Sequence, residues 1–329
     1  MTAAAPTRAD LVKLGPEAEV IFPNPPMLEK LVSGFTWTEG PVWMHSGYLL
    51  FAEIPSNTIR KWVPGEDKAT IFLEPSGYNL PEPFGGKEPG SNGMTLDKSG
   101  RLTIAGHGRR NVWRLETEDP HGPSTVLADH YQGKKLNSPN DVVYKSDGSL
   151  YFTDPPYGLP TQSDEDPKKE LKFNGVYRIP HAAARKAGSA PQEPELLIKD
   201  LPRPNGLAFS PDEKYLYVAN SGNGPQRFWM RYAVKPDGSV GTGTMFYDVS
   251  SDPAAGSPDG IKVDRSGNIY GAGPGGMWVF TPAGKHIATL RFPARVANLN
   301  WGGRDGKTLY ITASDSVYRI ELKIAGIQP

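Results

Sequence analysis

Ser257-Pro258-Asp259-Gly260-Ile261-Lys262-Val263-Asp264-Arg265-Ser266-Gly267-Asn268-Ile269-Tyr270 decides the fold. It reads as a polar residue, a short apolar strand, a tight turn and a second apolar strand. The pattern recurs. Glu39-Gly40 leads to Trp43, a turn at Ser46-Gly47 and Leu49. Asn92-Gly93 leads to Leu96, Ser99-Gly100 and Leu102, and Asn140-Asp141 to Tyr144, Asp147-Gly148 and Leu150. Asn205-Gly206 leads to Phe209 and, after a longer turn, to Leu216, and a weaker copy runs from Asn298 through Trp301 to Leu309. The second-strand apolar residue lies ten positions after the lead residue in four copies and eleven after Asn205 and Asn298. Self-similarity at roughly 40 to 65 residues marks repeated supersecondary units, and β-rich units of that size make a propeller. Six copies in 329 residues predict six blades of four antiparallel strands.

The chain holds 37 Gly and 33 Pro, placed between apolar runs as turn residues rather than in biased tracts. With 36 basic and 36 acidic residues the formal charge is zero, which argues against a broad nucleic-acid or anionic-membrane surface. The absence of cysteine removes disulfides, thiolate metal sites and cysteine nucleophiles. No apolar run is long enough to span a bilayer, and Met1–Gly15 lacks the apolar core of a signal peptide, so a cytoplasmic protein is expected.

Residues 1–16 read as a flexible arm and 17–329 as one propeller domain. Ala18–Phe22 and Leu28–Val32 both look strand-like. The last repeat shows three strands, at 296–301, 308–313 and 316–322, so an N-terminal strand is expected to supply its fourth and close the ring. Strands alternate in direction. The lead residues therefore share one face with the loops after each second strand (Glu53, His107, Asp154, Asn220, Gly273, Ser314) and after each fourth strand, including Gly77–Gly90. The charged insertion Thr161–Lys172 hangs over this face, either as a solvated loop or as a lid. A short helix at His181–Gly188 falls on the opposite face.

Six first strands starting around one axis bring Glu39, Asn92, Asn140, Asn205, Asp259 and Asn298 to the channel mouth. Any single Asn-Gly is an ordinary turn former. Six side-chain oxygens in register, one of them from a glutamate, instead point to a shared cation, since converging buried polar groups without a partner are costly. An all-oxygen set suits calcium, with six to eight ligands at about 2.3–2.6 Å. Magnesium and manganese stay open, and zinc is less natural without His or Cys. Such a cation polarises a carbonyl or phosphoryl oxygen, and Asp259 is placed to take a proton from the attacking water. No Gly-x-Ser-x-Gly elbow is present, and Gly273-Pro274-Gly275-Gly276 opens no helix, so it reads as a turn.

Thr38-Glu39-Gly40-Pro41-Val42-Trp43, Ser138-Pro139-Asn140-Asp141-Val142-Val143, Pro204-Asn205-Gly206-Leu207-Ala208-Phe209 and Pro258-Asp259-Gly260-Ile261, in order at blade spacing, resemble the gluconolactonase and senescence-marker-protein (regucalcin) family of six-bladed propellers. Tyr151–Gly158 looks like its bacterial and fungal gluconolactonase-like branch. The resemblance implies one divalent cation, usually calcium, held by Glu39, Asn140, Asn205 and Asp259. It also implies hydrolysis of a sugar lactone or similar cyclic ester with Asp259 as base. Asn92 and His107 would contact substrate, with Asp154, Tyr157 and Asn298 completing the expected substrate set. Lys262 stands where related fluorophosphatases carry an acidic ligand for a second calcium, so no second site is expected. Trp37, Phe84, Tyr157, Phe228 and Trp229 are expected at the rim, which leaves an apolar lactone or aryl ester open. A phosphotriesterase-like hydrolase and a non-catalytic calcium-binding propeller are the alternatives. The expected partner is a small lactone or ester, with no nucleic acid or membrane, for a monomer or homodimer.

Overall fold

The computed structural model describes residues 5–222 and 225–327. Residues 1–4 of the expected arm and 223–224 and 328–329 of the expected domain lie outside them.

The chain forms a six-bladed β-propeller. Each blade is a four-stranded antiparallel sheet running outward from the axis. Blade 1 comprises Thr38–Met44, Tyr48–Glu53, Thr58–Trp62 and Thr70–Leu73. Blades 2 to 5 begin at Met94, Val142, Pro204 and Ile261. Blade 6 comprises Val296–Gly302, Thr308–Ala313 and Ser316–Glu321, and its fourth strand is the N-terminal Met27–Ser33, paired Ser316↔Ser33 and Val317↔Val32. The ring thus closes as expected. Across the closure Trp43 stacks on Tyr310 with centroids 5.1 Å apart, and the Thr38 amide donates to the Ser314 carbonyl at 2.8 Å.

The repeat seen in the sequence is a hydrogen-bond register. The amides of Asn92, Asn140 and Asp259 donate to the carbonyls of Ala105, Thr153 and Ala272, the same offset along each second strand. Blade 6 keeps this register, with Asn300 opposite Tyr310 as Met94 is opposite Ile104, and the extra turn residue shows in blade 4, where Leu207 pairs with Val218, one residue further on. The turn glycines Gly47, Gly100, Gly148 and Gly267 all have φ between +78° and +87°, a conformation that costs residues with a Cβ. An aspartate starts two of these turns: Asp97 and Asp264 each accept two backbone amides through Oδ1 at 2.9–3.0 Å.

Two N-terminal expectations need revision. Ala18–Ile21 is one helical turn, not a strand. Ala18, Ile21 and Phe22 bury one face between blades 5 and 6, so the i, i+3, i+4 spacing outweighs the β-branched composition. The segment read as a flexible arm carries two short strands. Thr7–Arg8 pairs with Met27–Leu28, and Leu11–Lys13 pairs with Ala288–Leu290, so this segment covers the outer edges of blades 6 and 5. At 181–188 only Ala182–Ala184 is helical, as a single 3-10 turn.

Among the described residues, no helix is long and apolar enough to cross a membrane.

Candidate active site at the channel mouth

Close contact between neighbouring blades builds the site. A Cβ on Gly40 would lie 2.2 Å from the Asn92 carbonyl oxygen, and one on Gly206 would lie 2.3 Å from that of Asp259. The glycine after a lead residue is therefore the seat of the next blade's lead residue. This contact, more than turn formation, explains the recurring Asn-Gly.

All six lead residues are buried. Glu39, Asn92, Asn140, Asn205 and Asp259 line one cavity of about 320 Å³. Asn298 does not line it. Its Oδ1 accepts the Leu299 amide at 2.9 Å and faces Lys262 Nζ at 3.4 Å. Tyr157 lines the cavity, its hydroxyl donating to the Ser221 carbonyl.

Two expected substrate contacts lie behind the wall. His107 is wholly buried, with Nε2 2.9 Å from Glu88 Oε2, and it is Glu88 that faces the cavity. Asp154 accepts the amides of Asn137 and Ser138 at 2.8 and 2.7 Å, fixing the loop that delivers Asn140. Burial raises its carboxyl to about 7 even against these two N–H donors. Of the expected rim aromatics, Trp37 and Tyr157 line the cavity. Trp229 is core between blades 4 and 5, and Phe84 packs on Tyr78.

Sequence reasoning missed Glu88, Gln162, Ser221, Ser257 and Arg295 on the cavity wall. Their loops were correctly assigned to this face where the strand order fixed it, as for Gly77–Gly90, but no motif singles out Glu88 or Arg295. The 161–172 insertion is folded on itself, and its Gln162 lines the cavity. Buried Asp166 accepts the Thr161 amide and hydroxyl at 2.7 Å and the Lys168 amide at 2.8 Å. Gln162 reaches back from it to Glu88 Oε1 at 2.8 Å.

Burial and mutual repulsion disfavour the ionised carboxylates at the mouth. Burial first, then Arg295 in the opposite sense, then Asp141 and Glu88, bring Asp259 to about 7. Burial and the charge of Asp259 push Glu39 well above the usual carboxylate range. The Asn205 side chain pulls the Asp259 carboxyl the other way, and Asn92 Oδ1 is buried with no hydrogen-bond partner. Two mutually opposed carboxylates with amide oxygens around them fit a hard divalent cation. Among the described residues no three His, Asp or Glu side chains cluster as a metal site, because two of the four expected ligands are asparagines.

The profile of the family described as SMP-30/Gluconolactonase/LRE-like region matches residues 37–315. The chain belongs to this family. It is 36% identical to a gluconolactonase of Zymomonas mobilis over 97% of its own length and 88% of that protein's. A solved gluconolactonase from Xanthomonas campestris superposes with a TM-score of 0.79 at 27% identity, covering 98% of this chain and 99% of that one. A calcium-binding regucalcin from Agrobacterium tumefaciens shares the fold, with a TM-score of 0.67 at 18% identity over 91% and 97% of the two chains. As a member of this gluconolactonase-like family, the protein carries a lactonase-type hydrolase scaffold with its buried carboxylates at the channel mouth.

Proposed function

We propose that the protein is a divalent-cation-dependent lactonase that opens a polar, sugar-type lactone. The observation that carries this reading is the meeting of Glu39 and Asp259 with Asn92, Asn140 and Asn205 in one small cavity of a gluconolactonase-family chain. Glu39, Asn140, Asn205 and Asp259 would hold the cation. Calcium is the first choice because it accepts irregular all-oxygen shells, while magnesium, manganese and zinc are tested beside it. When bound, the cation supplies Lewis-acid polarisation of a carbonyl oxygen.

The chain's own groups do the rest. Asp259 takes a proton from the water that attacks the ring carbonyl. Asn92, with its unpartnered buried oxygen, orients a substrate hydroxyl. Tyr157 and Trp37 form the flat walls, and Arg295, stacked over Trp37 at 5.3 Å, sets a positive group at the mouth. Most of the other wall residues are polar, which favours hydroxylated lactones over apolar ones.

A panel of sugar lactones, aliphatic lactones, aryl esters and phosphotriesters, assayed with chelator and after adding back each cation, tests this. Sugar-lactone opening lost with chelator and restored by calcium is the expected result. Turnover of phosphotriesters alone, or tight calcium binding with no turnover, would replace it with the corresponding alternative.

A further inference from the structure

The proton inventory around His107 does not close if the imidazole is neutral and Glu88 is ionised. His107 is wholly buried. Its Nε2 lies 2.9 Å from Glu88 Oε2, and its Nδ1 lies 3.3 Å from the Pro139 carbonyl oxygen. A carbonyl oxygen carries no hydrogen, and an ionised carboxylate only accepts. A neutral imidazole has one N–H, so one of these contacts would be lone pair against lone pair. Two states satisfy both contacts: an imidazolium against a carboxylate, or an Nδ1–H imidazole against a carboxylic acid. Each holds one proton more than neutral histidine beside an ionised glutamate. The second oxygen, Glu88 Oε1, already accepts from Gln162 Nε2 at 2.8 Å, so the stored proton lies on the line between Oε2 and Nε2.

We propose that Glu88 and His107 form a proton-holding pair that acts as the general acid of lactone opening, with Glu88 the catalytic residue and His107 its positioning partner. The role in turnover rests on the lactonase reading; the stored proton does not. Asp259 takes a proton from water as the carbon–oxygen bond to the carbonyl carbon forms. The ring carbon–oxygen bond then breaks, and the ring oxygen receives its proton from the pair through Glu88. The pair is left as neutral imidazole and carboxylate. The proton on Asp259 returns to the pair through cavity water, and the new carboxylic acid releases its own to solvent, so both groups are restored each cycle. No oxidant, reductant or further co-reactant enters. The need is chemical: an aliphatic alkoxide is a poor leaving group, whereas a phenolate leaves unaided.

Glu88→Gln keeps the shape and can still hydrogen-bond His107 and Gln162. For an aliphatic sugar lactone its kcat/KM falls about 100-fold or more, the range of a lost general acid. For a fused-ring aryl lactone with a phenolate leaving group the change stays within about threefold. His107→Gln shows the same split. Equal losses on both substrates, or none on either, overturn the acid role. Nitrogen-15 NMR of His107 in the resting wild-type protein at neutral pH reads the stored proton without turnover. A protonated Nδ1 is expected, and a pyridine-type Nδ1 overturns the pair. Wild-type protein that opens neither lactone with any cation sinks the lactonase reading and the acid role together, while the NMR result still judges the pair.

Discussion

Lys262 Nζ lies 3.5 Å from Asp141 Oδ2, deep in the channel below the lead residues, and also donates to the Ile261 carbonyl at 3.1 Å. The lysine is mostly buried and the aspartate almost wholly so. Asp141 in turn raises the carboxyls of both Glu39 and Asp259, so the ammonium offsets a charge the site would otherwise feel in full.

Lys262→Met leaves Asp141 buried and unpaired. Breaking a buried pair from one side costs about 3 kcal/mol, taken at the low end of the range because the lysine keeps some solvent. Thermal unfolding of the calcium-loaded protein checks the loss, and Lys262→Met/Asp141→Asn should recover most of it.

Asp259→Asn removes the proposed base and one of two carboxylates while keeping the side chain's shape. Lactone turnover should fall by roughly 1000-fold or more with the fold retained. Circular dichroism beside steady-state kinetics decides it, and a retained rate removes Asp259 from the mechanism.

Cation-free protein should lose stability with rising pH. The folded value of Asp259, about 7, lies above its ordinary 3.8, so the native state binds more protons between those values. Its contribution is full below about pH 4 and is lost as pH rises through about 7; Glu39 acts in the same direction. A bound cation replaces those protons. The gain in melting temperature on adding calcium should therefore be larger at pH 7.5 than at pH 5.5, and a gain that shrinks with pH would contradict the assignment.

Gly260→Ala places a Cβ 2.1 Å from Asn298 Oδ1 and 2.7 Å from its Cα. Only a backbone shift between blades 5 and 6 can relieve this, at a cost of about 1–3 kcal/mol. Urea unfolding gives the loss, and weaker cation binding should accompany it because Asp259 precedes the shifted residue.

Asp154→Asn turns one acceptor oxygen into an NH₂ facing a backbone amide. Leaving one such donor unsatisfied costs about 1–3 kcal/mol. The expected signature is lower stability with weaker calcium affinity through the Asn140 loop, read by calorimetry; a change confined to substrate KM would restore Asp154 as a direct substrate contact.

The blade repeat was legible because it is written in local terms. A polar lead, alternating apolar residues and a turn glycine at fixed offset each reflect one strand pair and one φ value, and these need no distant partner. The lead residues followed, since a closed ring of such units can only point their starts at the axis. Ala18–Phe22 was misread because Val and Ile suit a strand in isolation, and only packing between blades 5 and 6 selects the helical face. Glu88 and Arg295 carry no motif at all. Likewise His107 and Asp154 are polar residues at the right strand ends, but their distance from the cavity depends on loops that fold back from elsewhere.

The sequence by itself determined six blades, their closure by an N-terminal strand and the ring of oxygen-bearing side chains, because periodicity and strand direction are properties of the chain. Only the tertiary structure decided which oxygens face the cavity, which carboxylates oppose each other and which acceptors surround His107. Those depend on burial and on contacts between residues far apart in the chain, where a shift of a few ångströms separates a ligand from a support.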